Sequence, residues 1–486
     1  MVKYVCNNCA KEFPQKSHYT IHLQRKTPCK NNSEKIKALV DEAVEKKLKE
    51  LNSKDEAKNT IQDPPTPITS DKEEGINPST EPKYSVLSYL LTKQLCKEEK
   101  QNHGIYFTPP KTIHSSLKLL EPYIGNIKTV LEPACGSCEF ITLLDKHYPN
   151  LDITGIEFNK TIYDAIRHVE KPTIKLYNED YLCMTNKDKP NSTYDLIIGN
   201  PPYFVMKKNE VNKAYHAYFD GRPNIFILFI LKSLTLLNPN GILMFILPKN
   251  FLNCLYYDKT RRHIYQSFKI LHLIECTDSY IETKQDTVIV MLQNKADIPN
   301  NRLFTLNVNN YTIFGMPDKI TKLKGLYTNS ATLSTLKFKV NVGTVVWNQC
   351  KDSLTDDETK TRLIYSSDIE KNTLIKKKYE NKAKKNYIDK AGIREAMIIM
   401  NRGYGVGNYK FEYCLIDGTT EYLIENHLIC VRYTEPIDKK KLIALYNKII
   451  ESLTNEKTHQ FIELYFGNNA INTTELCEIM PVYGMV

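Results

Sequence analysis

The run Tyr194-Asp195-Leu196-Ile197-Ile198-Gly199-Asn200-Pro201-Pro202-Tyr203 constrains this chain more than any other stretch. Leu196, Ile197 and Ile198 form a short apolar run of the kind that fills a parallel strand buried on both faces. Gly199 ends it. The diproline that follows fixes two φ angles and removes two N–H donors, which leaves backbone carbonyls free to accept. Ligands of open α/β sheets sit just past the carboxyl ends of the strands. A side-chain amide, a free carbonyl and an aromatic ring at that place suit a planar substrate carrying an amino group. The tetrapeptide alone is also compatible with a proline-rich surface turn. Its position after an apolar strand, with a second motif upstream, favours the site.

The 486 residues suffice for two or three domains with a large core. A formal net charge of +10 favours a polyanionic partner where it is clustered. No membrane anchor is expected. The one strongly apolar stretch, Ile225 to Leu247, is interrupted by Lys232 and by Asn238-Pro239-Asn240-Gly241. Each half is too short to span a bilayer and reads as a buried helix followed, after a turn at Pro239-Asn240-Gly241, by a buried strand. Thirteen cysteines without a secretory signal point to a reducing compartment, cytoplasm or nucleus, and to metal binding or core packing rather than disulfides.

Four segments are expected, three domains and a linker. Residues 1–30 carry Cys6, Cys9, His22 and Cys29 at the spacing C-x2-C-x12-H-x6-C, with Phe13 and Tyr19 as core apolar residues. So short a unit buries too little surface to fold alone, and structural Zn would supply the energy. The stretch resembles a C2H2-type zinc finger in which Cys29 replaces the last histidine. A finger of this kind binds DNA or a protein partner. Residues 31–83 read as a helix and a disordered linker. Ile36, Leu39, Val40, Val44, Leu48 and Leu51 give residues 34–51 helical spacing, a second candidate surface for a protein partner. The Pro-, Ser- and charge-rich run that follows is a tether.

Residues 84–297 are expected to form an α/β domain. Thr129-Val130-Leu131-Glu132-Pro133-Ala134-Cys135-Gly136-Ser137-Cys138 reads as a strand and a tight small-residue turn, followed by a helix start. Such a turn lets backbone approach a ligand closely at the first strand of a doubly wound sheet. It is not the G-x-G-x-x-G fingerprint, and no phosphate-cradling lysine follows. Glu157 ends the next strand, where an acidic side chain commonly meets ribose hydroxyls. Asp180-Tyr181 follows a third strand, where a carboxylate suits an adenine amino group and the ring an adenine face.

Residues 298–486 change texture to short β-like runs with scattered lysine and aromatics. Lys377 and Lys378 lie in a basic cluster next to Tyr379. Arg402, Tyr404 and Tyr409 lie in a glycine-rich loop. Cations interleaved with aromatic rings suit phosphate contact and base stacking, although a solvated charge run and an ordinary hairpin loop have the same composition.

The order F-T-P-P (107–110), L-E-P-A-C-G (131–136), G-I-E (155–157), E-D-Y (179–181), G-N-P-P-Y (199–203) and G-I-L-M-F-I-L-P (241–248) resembles the gamma class of S-adenosylmethionine-dependent DNA N6-adenine methyltransferases. The resemblance covers residues 104–294. It implies a Rossmann-like methyltransferase sheet, followed by a C-terminal α+β target-recognition domain. It also implies roles. Thr108 would border the methionine part of S-adenosyl-L-methionine, with Glu132, Ala134 and Gly136 lining it. Glu157 would bind the ribose, Phe158 would lie beside the adenine, and Asp180 would meet its amino group, with Tyr181 and Pro202 against the ring. Asn200 and the Pro201 carbonyl would hold the target amine, Tyr203 would stack on the target base and Tyr280 would take its other face. Cys138 departs from the family's usual glycine, and a side chain there is expected to crowd the turn or shift the cofactor.

On this reading the chain modifies double-stranded DNA at a specific site, flipping an adenine out of the stack at a cost of a few kcal/mol. No nuclease core is visible, so modification without cleavage is expected. Methylation of RNA adenine or of protein glutamine, and a catalytically inactive DNA-binding protein, stay open at this point. A finger fused to a bacterial-type modification enzyme, in a sequence rich in Lys, Asn, Ile and Tyr, fits a virus-encoded protein that acts inside its host cell.

Overall fold

The computed structural model describes residues 4–5, 12–13, 20, 84–184, 193–295, 301–402, 412–466 and 471–485. The proposed zinc ligands Cys6, Cys9, His22 and Cys29, the helix expected over 34–51, and Tyr404 and Tyr409 lie outside these residues. Packing divides the chain into two units. The first comprises Met1–Tyr215, Arg222–Lys249 and Ile274–Asp297; the second comprises His216–Gly221, Asn250–Leu273 and Ile298–Val486.

A seven-stranded sheet comprises β1 (Thr129–Glu132), β2 (Asp152–Ile156), β3 (Ile174–Tyr177), β4 (Tyr194–Gly199), β5 (Leu237–Pro248), β6 (Lys269–Glu275) and β7 (Thr287–Gln293); all but Lys269–Leu273 of β6 belong to the first unit. Their order is β3-β2-β1-β4-β5-β7-β6. The pairs from β3 to β5 are parallel, and β7 runs antiparallel to β5. The order reverses between β1 and β4, which opens a crevice above their carboxyl ends. Both motifs singled out in the sequence, the turn after Glu132 and Asn200-Pro201-Pro202-Tyr203, leave the sheet at that crevice.

Local sequence explains the supporting helices. Helix α1 (Val86–Gln94) starts where the Ser85 hydroxyl accepts from the Ser88 N–H at 3.0 Å. Helix α2 (Lys97–His103) ends on Gly104, held at φ 63° as a left-handed cap. Helix α3 (Pro110–Leu120) begins on a proline, whose missing N–H costs nothing at a first helical position. Helix α4 (Glu139–His147) follows the turn after β1, and α5 (Lys160–Ile166) is capped by the Asn159 side chain, which accepts from Ile162 N–H at 3.1 Å. Helix α6 (Ile225–Leu234) is buried all round, as its uninterrupted apolar face requires.

One expectation is corrected here. The chain turns at Thr235–Leu236, and Pro239-Asn240-Gly241 lies inside β5, which runs from Leu237 to Pro248. Asn240 takes φ 64°, its N–H bonds to the Asn294 carbonyl at 2.6 Å, and the register against β4 shifts between Tyr194 and Leu196. The turn-forming residues make an irregularity that keeps the strand in the sheet instead of ending it.

The second unit combines two four-stranded sheets with helices. One sheet orders Phe338–Val342, Leu428–Tyr433, Met397–Asn401 and Tyr413–Ile416, all antiparallel. The other holds Thr361–Ile364 between Tyr387–Ile388 and Tyr422–Ile424. Helices Lys439–Leu453 and Glu456–Tyr465 contribute Tyr446, Ile449 and Phe461 to its largest apolar core. The fully buried Arg261 donates to the carbonyls of Thr312, Phe251 and Cys254 at 2.6, 2.9 and 2.7 Å. No helix of the described residues is long and apolar enough to cross a membrane.

Candidate active site

A cavity of ≈ 270 Å³ lies at the crevice of the first unit. Its floor is the turn Pro133, Ala134 and Gly136; one wall is Glu157, Phe158 and Asn159; another is Asp180, Tyr181 and Leu182. Asn200, Pro202, Phe204 and Met206 bound it after β4, and His103 to Phe107 close it from the segment between α2 and α3. Ala134, Gly136, Glu157, Phe158, Asp180, Tyr181, Asn200 and Pro202 are therefore brought together from four separated stretches of sequence.

The backbone allows close approach where the sequence is smallest. Gly136 sits at φ 50°, a conformation that L side chains rarely take, and a Cβ there would reach the Phe107 ring at 3.7 Å. Glu157 is 7% exposed and its two oxygens accept from backbone, Oε2 from Gly136 N–H at 2.9 Å and Oε1 from Asn159 N–H at 2.7 Å. Burial pushes its carboxyl up to about 7, against the pull of those two N–H groups. Asp180 Oδ1 accepts from Leu182 N–H at 2.9 Å, which winds the chain into the short turn carrying Tyr181. The Tyr181 hydroxyl bonds to Ser233 Oγ at 2.9 Å and its ring packs on Phe229 at 5.0 Å. Lys232 secures this turn from α6, donating to the carbonyls of Tyr181, Leu182 and Met184. Burial lowers its ammonium pKa.

Two expected lining residues stand elsewhere. Glu132 is buried behind the turn: its Cγ would lie 3.4 Å from a Cβ at Gly199, and its Oε2 has no hydrogen-bond partner. Burial, reinforced by neighbouring Cys138 and Glu157, raises its carboxyl well above the usual range. Thr108 faces Asn200 instead of the cavity, with Oγ1 3.1 Å from Asn200 Nδ2. Cys138 stands in the turn but outside the cavity lining. The residue is fully buried at φ 59° as the cap of α4, and its N–H closes the turn on the Cys135 carbonyl at 2.8 Å. That left-handed φ is the physical reason a glycine would be easier there.

Asn200 is held from four directions. Its Nδ2 lies 3.3 Å from the Tyr106 carbonyl, 3.1 Å from Thr108 Oγ1 and 3.4 Å from the Tyr280 hydroxyl. Its Oδ1 accepts from the Tyr203 hydroxyl at 2.5 Å. The Tyr203 hydroxyl is also 2.7 Å from the Ile246 carbonyl of β5, and the ring meets Phe226 edge-on at 5.9 Å. Burial raises the Tyr203 and Tyr280 phenols. The loop bearing Tyr280 is tied down by Lys100, which spans the Thr92 carbonyl and Glu282 at 2.6 Å each.

The segment from His103 to Phe107 is what sequence reading missed as a wall. Its signal is Gly104, separated from F-T-P-P by Ile105 and Tyr106. A Cβ at Gly104 would stand 2.6 Å from Tyr203 N and 3.1 Å from Pro202 Cβ, so the two motifs touch there. His103, edge-on to Phe158 at 5.7 Å, had no signal at all.

Residues 85–281 match the Eco57I restriction-modification methylase family. This span holds the whole cavity. The chain is similar over 402 residues, at 26% identity, to the Type II methyltransferase M.CvrRI of Paramecium bursaria Chlorella virus XZ-6E, covering 81% of this chain and 97% of that one. Modification methylase CviBIII of Chlorella virus NC1A is 25% identical over 412 residues, covering 82% and 99%. Among solved structures, a DrdV–DNA complex aligns at 13% identity with a TM-score of 0.47, covering 82% of this chain and 58% of that one.

In the second unit, Lys377 pairs with Glu370 at 3.3 Å and Lys378 is exposed. Lys376 pairs with Glu358, and Lys385 with Asp356. The basic clusters are thus partly neutralised by acids that lie outside them in sequence. Arg402 is half-buried at the end of the Met397–Asn401 strand. Among the described residues no group of three His, Cys, Asp or Glu side chains is placed to hold a metal ion.

Proposed function

We propose that this chain methylates N6 of a flipped-out adenine at a specific site in double-stranded DNA. The carrying observation is Asn200, a side-chain amide at the cavity edge, fixed on every side and followed by two prolines. The match to a restriction-modification methylase family and the two viral relatives, similar over nearly their whole lengths, support a DNA substrate. Their origin also supports the expectation of a virus-encoded enzyme.

The cavity fits S-adenosyl-L-methionine. A buried carboxylate at Glu157 suits ribose hydroxyls, Phe158 and Tyr181 offer aromatic faces, Asp180 offers an acceptor, and the Gly136 turn leaves backbone bare. When bound, the cofactor supplies an electrophilic methyl group. The protein supplies position. An adenine amino group is a poor nucleophile because its lone pair is delocalised into the ring. Asn200 Oδ1 and the Pro201 carbonyl are the two acceptors for its N–H bonds, and holding both favours a pyramidal nitrogen whose lone pair is free to attack. Such positioning accounts for the rate without acid–base chemistry at the carbon. Stacking on Tyr203, with Tyr280 on the other face, offsets roughly 1–3 kcal/mol of the cost of flipping. Lys377, Lys378 and Arg402 remain the proposed phosphate contacts in the second unit, which serves as the target-recognition domain, with Tyr404 and Tyr409 in the adjoining loop.

The N-terminal ligand set Cys6, Cys9, His22 and Cys29 is proposed to hold structural zinc. Tyr4 pairs antiparallel with Phe13 and Val5 with Glu12, and Cys6 and Cys9 lie between these pairs in sequence.

Incubation of tritium-labelled cofactor with duplex DNA tests the reading. Label enters the DNA with the native chain and falls at least about 100-fold with Asn200→Ala, the scale of losing one positioned group. Label that enters equally with both proteins contradicts it.

A further inference from the structure

An amide side chain has a donor end and an acceptor end of the same shape, and only its neighbours tell them apart. At Asn200 the neighbours decide. The Tyr106 carbonyl accepts and never donates, so the end 3.3 Å from it is the NH₂ group. That group has two hydrogens. Thr108 Oγ1, at 3.1 Å, lies closest to it and takes the second; the Tyr280 hydroxyl is farther, at 3.4 Å. With both hydrogens committed, the plane of the amide is fixed and Oδ1 is turned toward Tyr203.

Oδ1 has two lone pairs. The Tyr203 hydroxyl uses one at 2.5 Å, and that hydroxyl has one proton for two acceptors, Asn200 Oδ1 and the Ile246 carbonyl at 2.7 Å. A lone pair therefore stays available to an incoming amine, in a direction set by the opposite end of the same amide.

We propose that Thr108 is a positioning residue of the transfer reaction, its hydroxyl accepting from Asn200 Nδ2 so that Oδ1 is aimed at the target amine. This rests on the reading of Asn200 as the acceptor for that amine. It replaces a role for Thr108 at the methionine part of the cofactor, since Thr108 does not line the cavity. Valine at 108 keeps the shape and removes the acceptor, and serine keeps the acceptor.

The test uses the full-length chain and four measurements: kcat at saturating cofactor and DNA, cofactor affinity by calorimetry, melting temperature, and the effect of Thr108→Val in an Asn200→Ala background. Expected for Thr108→Val is a loss of roughly 10- to 100-fold in kcat, the range that misplacement of about 1 Å costs. Cofactor affinity and melting temperature stay near native, and Thr108→Ser recovers most of the kcat. In the Asn200→Ala background the valine substitution has almost no further effect, because the residue acts through the missing amide. Should Thr108→Val melt early, Thr108→Ala, which adds no bulk, is read in its place. The proposal is overturned if cofactor affinity falls while saturated kcat holds, if kcat is native in Thr108→Val, or if the two losses add. A native chain that transfers no methyl to adenine overturns the functional reading and this proposal together.

Discussion

The two units handle charge in opposite ways. In the first, two carboxyl groups at the crevice are buried: Glu157 is gripped by two backbone N–H groups, and Glu132, behind the turn, keeps one oxygen with no partner. In the second, the lysines of the basic clusters stand at the surface and pair with acids, Lys376 with Glu358, Lys377 with Glu370 and Lys385 with Asp356. A buried polar group set by backbone is preorganised and cannot relax away. An exposed pair contributes about 0–1 kcal/mol and is readily exchanged for a phosphate. Rigid recognition of a small molecule and exchangeable recognition of a polyanion call for these two solutions.

The contrast breaks most visibly where the first unit has no slack. Gly104→Ala forces a side chain into a left-handed conformation, at roughly 1–2 kcal/mol, and drives it into the backbone of Tyr203. Methyl transfer is expected to fall by about 100-fold, since the diproline corner must move. Gly125→Ala, at a glycine with nothing within 4 Å of the added carbon, is expected to keep native activity. Equal activity in both would show the contact to be unimportant.

Glu157 sharpens the same point through pH. Its carboxyl is raised by burial to about 7, above the ordinary 4.5. On the proposed reading ribose hydroxyls donate to the ionised form, so cofactor affinity is expected to rise with pH through 7. From pH 6 to pH 8 the ionised fraction grows about tenfold, and affinity with it. The sign for stability is opposite. The folded state binds the proton more tightly than the unfolded one, so this group's contribution is fully present below 4.5 and is lost as pH rises through about 7. Calorimetric titration across that range checks the first effect, and Glu157→Gln is expected to flatten it. A flat profile in the native chain would mean that this carboxylate does not meet the cofactor.

The smallest effect belongs to the second unit. Lys377→Gln or Lys378→Gln is expected to weaken DNA binding similarly on all sequences and to reduce the salt slope by about one, as loss of one phosphate contact does. Titrations at several salt concentrations would reveal it. A change in sequence preference instead would place the lysine against a base edge.

Legibility followed the same division. Strand, turn and diproline corner are encoded within single runs of a dozen residues, so the crevice between β1 and β4 and most of the cavity lining could be read directly. From sequence Thr108 and Glu132 look like neighbours of the cofactor, because the sequence shows order along the chain but not which way a side chain turns. Glu132 turns behind Gly199, and Thr108 turns to Asn200. His103 carries no pattern that sets it apart from any helix end. The segments His216–Gly221 and Asn250–Leu273 pack with the second unit while lying inside the first in sequence, which no local pattern encodes. The pairing of Lys385 with Asp356 spans 29 residues and likewise escapes any reading by composition.

The central claim is that Asn200 and the diproline corner grasp the exocyclic amine of adenine. Digestion of the DNA labelled in the transfer assay, followed by nucleoside separation, tests it most directly. All label is expected in N6-methyladenine. Label in N4-methylcytosine, in 5-methylcytosine or in RNA or protein alone would contradict the account.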